Sequence, residues 1–170
     1  MILKKNLVFL GMMGSGKSSI GYLVSKKLKL AFVDIDNLIE DESEISISEI
    51  FETKGEDYFR NLEEKTTLKA LKEINKVISL GGGGFINDKI RKEVLINHFS
   101  FWLNWSDPVL LKRIKDSKRR PLAFQSTNQQ IRLLIKKTTK IYSKAQFMIN
   151  CDNLTKSEIV EKIIKIYELN

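Results

Sequence analysis

Residues 11–18, Gly11-Met12-Met13-Gly14-Ser15-Gly16-Lys17-Ser18, match the pattern G-x-x-x-x-G-K-[ST] at every position. The flanks suit it. Asn6-Leu7-Val8-Phe9-Leu10 is a short apolar run of strand character, and downstream Ile20, Leu23, Val24 and Leu28 recur at helical spacing. A strand, a glycine loop and a helix in that order form an anion trap. The glycines permit positive φ and close backbone approach, so successive N–H groups can converge on a phosphate. The positive end of the helix dipole lies under the same oxygens. Lys17 adds a mobile charge for the β- and γ-phosphates, and Ser18 offers a hydroxyl to Mg²⁺. Gly14, Ser15, Gly16, Lys17, Ser18 and Ser19 are thus the candidate nucleotide-binding residues. The alternative, an ordinary glycine-rich turn between strand and helix, is disfavoured by the flanking context. The motif predicts binding of a nucleoside triphosphate.

The chain's 170 residues are expected to form one domain spanning 1–170, large enough for a real core. The net charge of +8 could advertise nucleic acid, but Lys and Arg are spread along many segments and no nucleic-acid reader motif is present. A positive field also serves a protein that handles triphosphate and an acidic substrate. Cys151 is the single cysteine, which rules out an intrachain disulfide and suits a reducing compartment. Lys4-Lys5 before an apolar run mimics a signal peptide, but that run ends at the glycine loop with no small-residue cleavage site. No apolar stretch is long enough to span a bilayer. A cytoplasmic protein without membrane or nucleic-acid partners is expected, acting as a monomer.

Further along, strand and helix patterns alternate. Residues 30–36, Leu-Ala-Phe-Val-Asp-Ile-Asp, read as a second strand with acids at its end. Two helical segments follow, the second opening at Ser46 with Glu49 three residues on, a capping-box spacing. Gly55 interrupts, and residues 56–75 resume helical periodicity. Val77-Ile78-Ser79-Leu80 is a third strand running into Gly81-Gly82-Gly83-Gly84. A helix over 89–97 leads to a fourth strand, Ser100-Phe101-Trp102-Leu103-Asn104, and Asp107-Pro108 opens another helix. Residues 116–127 are polar, basic and interrupted by Pro121, which marks a loop or lid. A helix over 128–145, a fifth strand at Phe147-Met148-Ile149-Asn150 and a final helix capped by Thr155 and Glu158 complete the chain. Five apolar strands alternating with helices predict an α/β fold, a five-stranded parallel sheet covered on both faces in three α/β/α layers. Ligands of such sheets bind beyond the carboxyl ends of the strands. The phosphate loop, the acid pair and the Gly81 run all follow strands, so they should share one rim.

Asp34 and Asp36, two apart on a predicted strand, should project to the same side. Phosphoryl transfer can use such a pair, one carboxylate for Mg²⁺ and one to orient and deprotonate an acceptor hydroxyl. The plainer alternative is an aspartate capping the next helix beside a solvated neighbour. A GTPase switch is unsupported, since no aspartate is followed by glycine three residues later and no N-K-x-D motif exists.

At this point the chain resembles the shikimate kinases, members of the nucleoside-monophosphate-kinase-like group of P-loop proteins, over essentially its whole length. The resemblance is carried by residues 11–19, Val33-Asp34-Ile35-Asp36, Gly55-Glu56-Asp57-Tyr58-Phe59-Arg60 with Glu63, Leu80-Gly81-Gly82-Gly83, and Arg120-Pro121-Leu122, by their order and spacing together. It implies ATP as phosphoryl donor, Mg²⁺ as cofactor, shikimate as acceptor and a mobile lid at about 112–126. By the same resemblance Asp36 binds the shikimate hydroxyls and acts as base, while Asp34 and Ser18 lie at the metal. Arg60 clamps the substrate carboxylate with Glu63 beside it. Gly81, Gly82 and Gly83 line the acceptor site, with the Gly82 N–H offered to substrate. Arg120 lies in the lid over the triphosphate, and Arg113 stacks on adenine. Lys17, Asp36 and Arg120 form the implied catalytic set.

Each role has a plainer competitor. Arg60 and Glu63, at i,i+3, can be a simple helix-surface pair, and the glycine run a flexible turn. Six basic residues among positions 112–120 can be a solvated run rather than a lid. His98, Trp102, Trp105 and Cys151 read as structural. One departure stands out. The family places a second carboxylate-binding arginine four residues before a tyrosine, and with Tyr142 as that tyrosine the position is held by Thr138, flanked by Lys137 and Lys140. A neighbouring lysine substitutes, substrate binding is weak, the acceptor differs, or the sequence deviates from the one normally encoded. Related kinases for gluconate or a nucleoside monophosphate, or an ATP-dependent nucleic-acid-binding protein, are the competing functions.

Overall fold

Residues 5–115 and 126–170 are described by a computed structural model. Arg120, Pro121 and Leu122, and with them most of the expected lid, lie outside the described residues. The sheet has five parallel strands in the order β2-β3-β1-β4-β5. They are β1 (Leu7–Leu10), β2 (Ala31–Asp34), β3 (Lys76–Ser79), β4 (Phe99–Asn104) and β5 (Phe147–Asn150). Parallel neighbours require crossovers. These are supplied by α1 (Lys17–Leu28), α2 (Ile35–Ser43), α3 (Ile47–Leu71), α4 (Asp88–Asn97), α5 (Asp107–Lys115) and α6 (Asn128–Tyr142), with α7 (Lys156–Glu168) closing the chain. A short 3₁₀ turn, Gly84–Ile86, follows the glycine run.

β1 is the centre, and its four residues are at most 1% exposed. Its alternation feeds two cores. Val8 and Leu10 join Ile78 and Trp102 under α2, α3, α4 and α6 through Ile39, Ile50, Val94 and Ile135. Leu7 and Phe9 join Val77, Phe101 and Ile149 under α1 and α7 through Ile20, Val24, Ile159 and Ile163. The three-layer α/β/α architecture and the five strands agree with the sequence reading.

Several boundaries moved for physical reasons. β2 stops at Asp34, because its side chain turns to cap α2, accepting from the Asp36 and Asn37 N–H groups. Asp36 therefore sits on the first turn of α2, and the expected two-residue strand ladder is incorrect. Gly55 interrupts as expected, because α3 consists of two helical stretches joined across a kink at this residue. It bends α3 at φ 82 with nothing within 4 Å of a hypothetical Cβ, so backbone conformation alone calls for glycine. The helix expected to reach residue 75 ends at Leu71, and Asn75 takes φ 62 in the turn before β3. Leu23 faces solvent at 38% exposure rather than the core. The helix expected over 128–145 ends at Tyr142. The capping box at Thr155 and Glu158 forms as expected. No helix among the described residues is long and apolar enough to cross a membrane.

At the amino edge of the sheet, buried Asn6 ties three segments together. Its side chain donates to the Leu71 and Glu73 carbonyls and accepts from the Lys76 N–H. The Asn6 N–H donates to His98 Nδ1 at 3.4 Å, which leaves the proton of the neutral ring on Nε2, 3.8 Å from Glu93. Burial holds the His98 pKa below its ordinary 6.5, with Lys5 acting the same way and Glu93 opposing. A depressed pKa means that the fold favours the neutral ring. Its contribution is complete above pH 6.5 and is lost as pH falls through the lower folded value. Thermal unfolding between pH 7 and pH 5 should therefore show a steeper fall in Tm for the wild type than for His98→Asn, which keeps an acceptor but cannot titrate.

Candidate active site

The phosphate loop departs from β1 and enters α1 through Gly16, with Gly14 at φ 76 and Gly16 at φ 89. Gly16 provides no capping side chain, so the first-turn amides of α1 remain for an anion. Lys17 is 6% exposed, and its ammonium donates to the Gly11 carbonyl at 2.9 Å and the Met12 carbonyl at 3.0 Å. The loop's cation is thus folded over its own cradle. Ser19 donates to the Gly16 carbonyl at 3.1 Å.

Ser18 Oγ donates to Asp34 Oδ2, while Asp34 Oδ1 accepts from the Asp36 N–H at 3.1 Å. One carboxylate consequently joins the phosphate loop to the helix that carries Asp36. The capping role and the metal-proximal role weighed as alternatives for Asp34 are compatible, because each uses a different oxygen. Ser18 and Asp34 together present hard oxygen donors beside the phosphate loop. Two protein ligands of that kind fit Mg²⁺, which completes its shell with phosphate and water. No cluster of three His, Cys, Asp or Glu side chains suited to a metal occurs among the described residues.

A second group of charged side chains gathers around the glycines after β3. A Cβ on Gly81 would lie 2.7 Å from Asp36 Oδ1 and closer still to Glu63 Oε1. A Cβ on Gly83 would lie 2.8 Å from Arg60 Cζ. The run is therefore a gap that three charged side chains occupy, which answers the flexible-turn alternative. Arg60 Nη1 bonds Glu63 Oε2 at 2.7 Å, with Glu56 at 3.5 Å. The Glu63 side chain is only 3% exposed and that of Arg60 43%, so the pair is more than a helix-surface contact. Burial lowers the Arg60 pKa, but Glu63 and Glu56 outweigh it and the guanidinium holds its proton more tightly than usual. Tyr142 Oη donates to the Gly82 carbonyl, which fixes the plane of the peptide between Gly82 and Gly83.

On the other flank, Arg113 Nε donates to the Gly14 carbonyl at 2.7 Å, and its guanidinium lies 4.2 Å from the Trp105 ring centre. Trp105 Nε1 donates to the Ser15 carbonyl at 2.8 Å. Thr138 is buried against Met12 Sδ, and its hydroxyl donates to the Leu134 and Ile135 carbonyls. Position 138 therefore contributes no cation, and Lys136, Lys137 and Lys140 are exposed. Cys151 is buried, with its thiol pushed up to about 12 chiefly by desolvation, which makes it chemically quiet.

The chain matches the family described as "Shikimate kinase" over residues 13–168. It is 40% identical over 165 residues to a shikimate kinase of Thermodesulfovibrio yellowstonii, covering 96% of this chain and 95% of that one. Among solved structures, a shikimate kinase from Acinetobacter baumannii in complex with shikimate superposes with a TM-score of 0.91 at 26% identity, covering 98% of this chain and 94% of that chain. The shikimate kinase of Aquifex aeolicus superposes with a TM-score of 0.86 at 34% identity, covering 96% of each.

The sequence reading of Trp105 as a structural, core or rim aromatic did not anticipate its bond to the Ser15 carbonyl, and it gave Tyr142 no bonding role. The available signal for Trp105 was its place one residue past a strand's carboxyl end. The packing of Gly81 against two carboxylates carries a direct consequence. Gly81→Ala should cost about 1–3 kcal/mol of stability through overpacking, read as a lower urea midpoint with an unchanged slope.

Proposed function

The chain belongs to the shikimate kinase family, and from that premise we propose that it transfers the γ-phosphoryl group of ATP to the 3-hydroxyl of shikimate, giving shikimate 3-phosphate and ADP. The observation that carries this reading is the convergence of Asp36, Glu63 and Arg60 on the Gly81–Gly83 gap, joined to the phosphate loop through Asp34. A carboxylate base, an arginine fork and a polyphosphate cradle then share one rim. That inventory suits a hydroxy acid bearing a carboxylate.

In this mechanism the N–H groups of residues 14–19 bind the triphosphate, and Lys17 leaves the loop carbonyls to meet the β- and γ-oxygens. Arg113 supports the adenine. Ser18 and Asp34 would hold Mg²⁺, which supplies charge neutralisation for the transferring group when bound. Arg60 binds the acceptor carboxylate and is oriented by Glu63. The Gly81–Gly83 backbone lets the ring approach where any side chain would obstruct it. Asp36 orients the 3-hydroxyl and takes its proton as the oxygen attacks phosphorus, and the γ-phosphoryl leaves ADP behind. Arg120 is assigned to the transition-state charge on the strength of the family resemblance. The positive net charge serves two anionic substrates rather than nucleic acid, and the protein acts as a cytoplasmic monomer. With Thr138 unable to supply a second cation, Arg60 carries the carboxylate contact from the described residues.

ADP release measured with and without shikimate tests the assignment, and turnover that ignores shikimate but follows gluconate or a nucleoside monophosphate would overturn it. Asp36→Ala should lower kcat by roughly 10²–10⁴-fold with ADP affinity nearly intact; full activity in that variant would remove the base assignment. Arg60→Lys keeps a charge beside Glu63 but loses the fork. It should raise the KM for shikimate about tenfold while leaving that for ATP unchanged.

A further inference from the structure

Trp105 lies one residue past β4, at the rim where the strands end. It packs against both hydrophobic cores, yet its polar atom faces the phosphate loop. The indole Nε1 donates to the Ser15 carbonyl at 2.8 Å. The described peptides include no cis bond, so the carbonyl and N–H of each peptide plane point opposite ways. Drawing the Ser15 carbonyl toward Trp105 therefore turns the Gly16 N–H away from it, at the amino end of α1.

The same ring carries the Arg113 guanidinium 4.2 Å from its centre, close enough for a cation–π contact. Arg113 in turn donates to the Gly14 carbonyl, and its Nη2 would lie 3.4 Å from a Cβ on Gly16. Two consecutive loop carbonyls are thus held from behind, one by Trp105 and one by the arginine stacked on it. Trp105 is itself anchored, because the next residue, Ser106, donates its N–H to both Asp152 carboxylate oxygens at 3.1 and 3.2 Å.

We propose that Trp105 is a positioning residue of the nucleotide site, fixing the phosphate loop in its anion-receptive conformation and setting the plane of Arg113. This rests on the nucleotide-binding part of the function given above and not on the identity of the acceptor. Trp105 touches neither reacting atom. It acts through Ser15, Gly14 and Arg113, so its removal should tell on nucleotide binding alone.

ADP titrated calorimetrically into the wild type, Trp105→Phe and Trp105→Ala, together with KM values for ATP and shikimate, tests this. Phe keeps an aromatic face for Arg113 and loses only the donor, and should weaken ADP binding about 3–10-fold. Ala loses both contacts and should weaken it further, with the shikimate KM unmoved in either variant. Unchanged ADP affinity in Trp105→Phe would overturn the proposal. So would equal rises in both KM values accompanied by a fall in Tm, which is what a purely structural role predicts. Should Trp105→Ala fail to fold, Trp105→Phe decides alone. A wild type that binds ADP but ignores shikimate would defeat the acceptor assignment while leaving the ADP comparison decisive.

Discussion

Burial of β1 on both faces, at the middle of an all-parallel sheet, is the constraint from which the site follows. Its residues pair with β3 on one side and β4 on the other. A strand with no exposed face can leave the sheet only at its end, and parallel pairing puts every such exit on one rim. Each strand delivers something there. The phosphate loop follows β1, and Asp34 ends β2 with Asp36 just beyond it. Gly81 follows β3, Trp105 follows β4 and Asp152 follows β5.

Within that rim, polar groups are shared rather than duplicated. The two oxygens of Asp34 serve a helix cap and the Ser18 hydroxyl. Glu63 is deeply buried and balanced by a half-exposed Arg60, an arrangement that keeps the arginine charged while leaving part of it toward solvent. Lys17 rests on the carbonyls of its own loop. A phosphate that replaces those contacts gains the lysine without an extended cation having to be ordered from solvent.

Agreement between sequence and structure tracks how local each interaction is. β5 at Phe147–Asn150 and the Thr155–Glu158 capping box were legible because they depend on residues a few positions apart. The phosphate loop was legible because its chemistry needs glycines and a lysine at fixed offsets. Asp36 was misplaced because the apolar run at 30–36 could continue as a strand, whereas Asp34 turns to cap α2 and so puts Asp36 on that helix's first turn. Leu23 satisfied a helical period yet faces solvent, since periodicity supplies spacing without the phase set by the sheet. The family likeness placed a missing arginine at position 138, but only packing revealed that Thr138 is turned inward onto Met12.

By itself, then, the chain's order of residues determined the alternation of strands and helices, the anion-binding loop and the likeness to a family of small-molecule kinases, all properties carried by short-range pattern. Tertiary structure alone decided which charged groups meet. Asp36, Glu63 and Arg60 close on the glycine gap after β3, and Trp105 reaches back 90 positions to Ser15. Such contacts depend on strand register and helix phase across the whole sheet, quantities that no local run of residues encodes.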